Sequence, residues 1–338
     1  MTKGCKEFNT SFILQAPIHL DKNHPIAIEP STLYNRTRGN TFTEQEKRKQ
    51  ATMATEHPSN KTDYFIDAES ATETARLIDQ DHFLTEAMGG LFSERSDIAT
   101  MHFILDLGCG PGGWVRDVAF TYPQIEVTGI DISDAMMAYA RSFAKVQGLN
   151  NAFFEVMDIS KPLDFPDNSF DLVNARLIAF LTQEKWAQLL QECMRITRPG
   201  GVIRLTECEA ITTSPATEML FTKFTSAMRK VGQSFSPVRP LLGSTLVLSR
   251  FLRAAGYTNV QHVAHVVDFS VNTEAYNPFR HVTYALFAGM EPFLVGVGET
   301  THEEMQQLLQ QMQLEVLQDD FCALMYLLTA WGEKPQGT

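Results

Sequence analysis

Between residues 103 and 207 short apolar runs alternate with longer segments whose apolar residues recur every three or four positions. The first pattern is that of buried strands and the second that of helices packed on one face. Their alternation predicts parallel strand–helix–strand units. The runs 103–107, 126–131, 152–156, 170–174 and 202–207 read as strands one to five. Helices are expected over 113–121, over 135–147 with Ser133 as N-cap and Gly148 as stop, and over 184–197. In the last of these, Trp186, Leu189, Leu190, Cys193 and Met194 share one face.

The flanks differ. Residues 1–60 are rich in Asn, Thr, Lys, Gln and His without periodicity, which predicts a flexible or loosely attached segment. From Tyr64 the pattern changes, and Ala75, Leu77, Ile78, Phe83, Leu84, Met88, Leu91 and Phe92 suit one or two helices broken at Gly89-Gly90. Residues 61–100 are therefore expected to form a helical flap. Beyond strand five, Ser214-Pro215 opens a helix reaching about Gly232, and 241–255 reads as another. Strands six and seven are expected at 260–269 and 321–331, separated by a connection far longer than a hairpin loop. Within it Met305, Leu308, Leu309, Met312 and Val316 fall at helical spacing.

Chemistry concentrates at the end of strand one. Asp106-Leu-Gly-Cys-Gly-Pro-Gly-Gly113 leaves a strand, exposes bare backbone through Gly108, Gly110, Gly112 and Gly113, and starts a helix. Such a turn admits a ligand close to the main chain and points helix amides at it. Gly108, Gly110 and Gly113 also satisfy G-x-G-x-x-G, with an acid 18 residues on at Asp131, so a nicotinamide dinucleotide fits this pattern taken alone. Three details shift the balance: the acid Asp106 inside the strand end, Met157-Asp158-Ile159 after strand three, and Arg198-Pro-Gly-Gly201 before strand five.

With these residues the region 103–207 resembles the class I S-adenosylmethionine-dependent methyltransferases, closest to their small-molecule, natural-product branch. Asp131-Ile-Ser-Asp-Ala-Met-Met137 and Phe165-Pro-Asp-Asn-Ser-Phe-Asp-Leu-Val173 look like that branch. No Asn-Pro-Pro-Tyr follows strand four, where Asn174-Ala-Arg-Leu177 stands instead. The resemblance implies a Rossmann-like, doubly wound α/β sheet of seven strands, six parallel and the last antiparallel. It is carried here on residues 101–338, with helical cap insertions at about 211–240 and 272–318.

The resemblance also implies S-adenosylmethionine as cofactor and assigns its contacts. Asp131 takes the ribose hydroxyls, Ile132 flanks the adenine and Asp158 accepts from the adenine amino group, with Met157 and Ile159 beside it. Gly108, Cys109, Gly110 and Gly112 let the methionine portion approach, Asp106 and Asn174 lie on its ammonium side, and Tyr64 closes over it. A base is needed only for a hydroxyl or protonated amine acceptor. The candidates Glu207, Cys208 and Glu209 follow strand five, Arg176 follows strand four, and His281 and Tyr284 lie in the insertion; Glu209, His281 and Arg176 are taken as the catalytic set.

Composition narrows the partners. The net charge of −12 is uneven: residues 1–60 hold eight Lys/Arg and six Asp/Glu, so the remaining body carries −14, is acidic and disfavours nucleic acid. Five cysteines without metal-ligand spacing read as reduced thiols, and no metal is expected. No apolar run approaches the roughly 20 residues that span a bilayer. A cytoplasmic protein is expected, acting on a small, partly apolar methyl acceptor, with a homodimer left open. The alternatives are a cofactor-binding protein without catalysis and a protein methyltransferase.

Overall fold

In the computed structural model, residues 64–237 and 241–336 are described; the segment 1–60 lies outside them. Helix α1 (Ala71–Ala87) precedes strand β1 (Phe103–Leu107), α2 (Gly113–Thr121), β2 (Glu126–Asp131), α3 (Asp134–Val146), β3 (Ala152–Val156) and β4 (Phe170–Arg176). Then follow α4 (Gln183–Ile196), β5 (Thr197–Thr212), α5 (Pro215–Lys230), α6 (Ser244–Ala254) and β6 (Thr258–Asp268). The chain closes with α7 (Tyr276–Gly296), α8 (His302–Glu315) and β7 (Ala323–Glu333). The strands form one sheet in the order β3-β2-β1-β4-β5-β7-β6, with β7 antiparallel to both neighbours and the other six running one way. This is the Rossmann-like doubly wound arrangement.

The two faces of the sheet are sorted by the strand alternation. Leu105, Leu107, Val173, Ala175, Ile203 and Leu205 pack on one side with Trp186, Leu189 and Cys193 of α4 and Leu248 and Leu252 of α6. Ile104, Val127, Leu172 and Val202 pack on the other with Trp114, Val118, Met137 and Ala140 of α2 and α3. Local signals start the helices as expected: Ser133 accepts from Met136 N at 3.1 Å, and Ser214 accepts from Thr217 N at 3.1 Å with Pro215 in the first turn.

Three elements depart from expectation. β5 is not a six-residue strand; it runs to Thr212, because β7 pairs with it from Val202↔Glu333 to Thr212↔Ala323, well past its last partner on β4 at Arg176↔Thr206. β7 begins two residues later than expected, since Phe321 N closes a turn onto Gln318 O. The first half of the long connection is the 21-residue α7. Pro278 stands in its first turn, where an amide has no helical partner to lose, and Pro292 interrupts its interior. The projecting β5–β7 ribbon carries α5, α7 and α8, which with α1 enclose a third apolar cluster around Leu220, Phe269, Phe287, Met290, Met305 and Leu327. Among the described residues no helix is long and apolar enough to cross a membrane.

One polar row crosses the sheet on the α2 face. Asp106, Asn174 and Arg204 occupy paired positions on β1, β4 and β5. Asn174 Nδ2 donates to Asp106 Oδ1 at 2.7 Å, Arg204 donates to Asn174 Oδ1 at 2.8 Å, and Arg204 Nε donates to Glu94 Oε1 at 2.5 Å. The Arg204 and Glu94 side chains are 0% and 2% exposed. Removing one member of such a pair leaves an uncompensated buried charge, at a cost of about 3–5 kcal/mol. Glu94→Ala is therefore expected to lower unfolding free energy by about that much in chemical denaturation, and Glu94→Leu with Arg204→Met to recover most of it. A loss below about 1 kcal/mol would show that the ion pair does not anchor the 88–101 loop.

Candidate active site

The glycine turn after β1 is held from β2. Cys109 N donates to Ile130 O at 2.9 Å, and Gly110 N donates to Asp131 Oδ2 at 2.9 Å. Asp131 Oδ1 accepts from Ser133 N at 3.0 Å, so one carboxylate clamps both the glycine turn and the start of α3. Gly112 enters α2 with φ +74°, and a Cβ there would stand 2.5 Å from the Phe154 ring. A Cβ on Gly113 would collide with the Asp81 carboxylate, 1.9 Å away. On the Phe154 side the turn must stay bare; on the other, Asp81 would have to leave its pairing with Arg176 to make room.

Around it opens a cavity of about 240 Å³. Asp106, Gly108, Cys109, Gly110, Asp131, Ile132, Met157, Asp158, Ile159 and Tyr64 all reach its wall, as does Arg176. Gly112 and Asn174 lie behind it, Asn174 as the partner of Asp106. Burial pushes the Asp106 carboxyl up to about 7 against the pull of Arg176 and Asn174. Asp131 is likewise raised by burial, while the amides of Ser133 and Gly110 pull it back. Asp158 is lowered, the Ser160 hydrogen bonds and Lys161 outweighing its own partial burial.

The far wall comes from α1 and the segment before it. Arg76 is bonded to Glu73 through Nε at 2.8 Å and NH2 at 2.6 Å, and Tyr64 OH donates to the same Glu73 carboxylate. Arg76 NH1 also donates to Gln80 Oε1 at 2.6 Å, while Asp81 pairs with Arg176. Ser133 Oγ donates to Ala68 O at 3.0 Å and Ala135 N donates to Glu69, which seats this segment over the start of α3. Arg76, Gln80 and Asp81 were not singled out from sequence. Their signal was the i, i+4 recurrence of polar residues on the same helix face as Leu77 and Leu84.

A second cavity of about 140 Å³ lies between α1, α5, α7 and the β5–β7 ribbon. Gln80, Leu84, Leu177, Cys208, Phe224, Leu242 and Leu286 line both cavities, so they meet there. Glu207 is buried at the first cavity's edge, accepts from Ile178 N at 2.9 Å, and is pushed up to about 8 by burial, with Glu209 adding to the rise. The expected catalytic set is not brought together. Glu209 lines only the second cavity, and its carboxylate caps α6 by accepting from Gly243 N at 2.7 Å and Leu242 N at 3.3 Å. His281 is exposed on α7 and reaches neither cavity wall, because that helix turns Phe279 and Thr283 inward instead. Tyr284 is also exposed.

The first cavity suits a cationic adenosyl ligand. Asp106 is a buried carboxyl short of positive charge, which a ligand ammonium would supply. Asp131 lines the cavity with its oxygens bonded to backbone amides and with acceptor capacity remaining that could take a ligand hydroxyl. Ile132, Met157 and Ile159 are apolar residues of the same wall, against which a flat base could pack.

The family model for a methyltransferase domain matches residues 104–201. An uncharacterised methyltransferase of Schizosaccharomyces pombe is 34% identical over 114 residues, 32% of this chain and 40% of that protein. A sterol 24-C-methyltransferase of Gibberella zeae is 32% identical over 104 residues, 31% of this chain and 27% of that protein. The matches thus span less than half the length of these relatives. A phosphoethanolamine N-methyltransferase of Haemonchus contortus, solved with phosphomonomethylethanolamine and S-adenosylhomocysteine, aligns over 81% of this chain and 60% of its own at 17% identity and a TM-score of 0.48. Residues 104–201, built on the acid-ended first strand and its glycine turn, are thus a methyltransferase domain.

Proposed function

We propose that the protein transfers a methyl group from S-adenosylmethionine to an O, N or C atom of a small, partly apolar molecule. The observation that carries this reading is the pair of cavities meeting at Leu177 and Cys208, one lined by carboxylates and bare backbone, the other by phenylalanines. The cofactor, when bound, supplies a methyl made electrophilic by its sulfonium. The residues supply alignment and dryness, which are the main demands of an in-line displacement. Asp131 would hold the ribose, Asp158 the adenine amino group and Asp106 the ammonium. Arg176 is spent on Asp81 and a guanidinium offers no acceptor, so its part is to hold α1 against the end of β4. Residues 64–87 act as a flap over the cofactor, and α5, α7 and α8 as a cap over the acceptor.

A walled chamber favours a small acceptor over a protein segment, which needs an open groove. Incubating the protein with methyl-labelled cofactor and an extract of its source cells is expected to place label among small molecules. Label on protein would overturn that choice in favour of a protein methyltransferase.

Two substitutions test the cofactor contacts. Asp131→Ala is expected to weaken S-adenosylmethionine binding at least tenfold, about 1.4 kcal/mol, in calorimetry. Unchanged affinity would remove the ribose assignment. Asp106 must be ionised to hold an ammonium, and its carboxyl sits at about 7 in the free protein. Affinity should therefore climb as pH rises through about 7, with Glu207 on the same wall, pushed up to about 8, adding to the climb at its upper end. Asp106→Asn should bind more weakly and lose the part of the slope around pH 7; a slope there unchanged in the variant assigns the titration elsewhere.

A further inference from the structure

The second cavity carries a statement about the acceptor that rests on the methyltransferase reading above. Its volume is about 140 Å³. A dry protein cavity of about 150 Å³ lined by Leu, Ile and Phe takes up one benzene molecule. Phe83, Phe221, Phe224, Phe269 and Phe279 wall the chamber, with Phe83–Phe269 and Phe269–Phe279 centroids 5.0 and 4.5 Å apart. Rings at these separations pack on one another, and the edges and faces they leave toward the chamber suit contact with a further aromatic ring. A fused sterol skeleton is several times too large, so the likeness to a sterol methyltransferase stops at the cofactor half.

Charge and hydrogen bonding narrow the class. The only cations among the described residues of either wall are Arg76 and Arg176, each already bonded to a carboxylate. Glu207 and Glu209 stand at the same end of β5. An anionic acceptor would meet buried carboxylates and no free counter-charge. Where the chambers meet, Gln80 has its carbonyl oxygen held by Arg76, leaving its NH2 as a donor. Beside Cys208, Glu207 offers carboxylate oxygens, one bonded to Ile178 N and the other 3.5 Å from Ser244 Oγ. A donor on one side and an acceptor on the other match a hydroxyl, which accepts one hydrogen bond and donates one.

We propose that the acceptor is a single aromatic ring bearing a hydroxyl, seated in the phenylalanine chamber with its oxygen toward the cofactor cavity, and that Glu207 takes the hydroxyl proton. The O–H bond breaks with its proton going to the Glu207 carboxylate, and the oxygen forms the new O–C bond. The electron pair of the broken carbon–sulfur bond stays on sulfur, leaving a neutral thioether, a methyl ether and a protonated Glu207. No other reactant is required.

The test begins with calorimetry of S-adenosylmethionine itself, then of 4-methylphenol, 4-methylbenzoate, 4-methylbenzylamine and ergosterol against the protein with and without S-adenosylhomocysteine. The expected result is binding of 4-methylphenol, with the other three at least tenfold weaker. Thr283→Trp, or Val282→Trp if the first does not fold, should remove 4-methylphenol binding and leave cofactor affinity within twofold. Glu207→Gln should keep 4-methylphenol affinity within about threefold and lower its methylation at least a hundredfold, the usual scale for a lost base. Tighter binding of the acid, the amine or ergosterol, or equal binding of all four, overturns the ring-and-hydroxyl assignment. An undiminished rate in Glu207→Gln overturns its catalytic part. If the cofactor fails to bind at the outset, the methyltransferase reading itself falls; if it binds and 4-methylphenol does not, only the acceptor assignment falls.

Discussion

The buried row Asp106–Asn174–Arg204–Glu94 is the constraint on which the rest of the molecule turns. A carboxyl facing a cavity at the end of β1 cannot be left without partners inside a sheet, and a guanidinium on β5 cannot either. Asn174 reconciles them, because an amide donates with one end and accepts with the other. An Asp in its place would put two carboxylates side by side, and a Leu would orphan both neighbours. Glu94 then ties the row to the loop after α1. The strand ends that shape the cofactor cavity and the helix that closes it are thereby set by one continuous chain of bonds.

Two cavities of opposite character follow from how the sheet is extended. Where β1 and β2 stop, their ends present Asp106, Asp131 and the bare glycine turn to the first cavity. Where β5 and β7 continue, they lift α5, α7 and α8 beyond the sheet and enclose an apolar space. Desolvation acts differently on each side. It keeps Asp106 near the point where a ligand's charge decides its ionisation, and it makes Glu207 a much stronger base than a surface carboxylate.

What was legible in the sequence was what is encoded locally. The central strands, the Ser133 and Ser214 caps and the glycine turn each announce themselves within a few residues, and the acids at 106, 131 and 158 follow those signals at fixed distance. Contacts formed across 95 and 110 residues, Arg176 with Asp81 and Arg204 with Glu94, leave no such trace. The length of β5 was hidden for the same reason, since its partner β7 comes more than a hundred residues later. Helix α7 was masked by Pro278, Pro292 and Gly289, residues that read as breakers until the neighbouring helices are known to hold them. Glu209 and His281 illustrate a further limit: residue type suggested catalysis, whereas orientation turns one to a helix N-terminus and the other to solvent.

Leu177 links these threads. It takes φ +57°, a conformation that costs a leucine side chain energy, and it sits where the two cavities meet. The conformation is held from β5: Leu177 N donates to Thr206 O at 2.9 Å, and the next amide, Ile178 N, donates to Glu207. The bend turns the chain away from β4 at the point where continued strand would run into the shared wall. Glu207 thus fixes the turn with one oxygen and keeps acceptor capacity on the other. A residue that both shapes the junction and carries a basic oxygen beside it ties the position of the acceptor to the group that would deprotonate it, so the two cannot drift apart without breaking the same hydrogen bond.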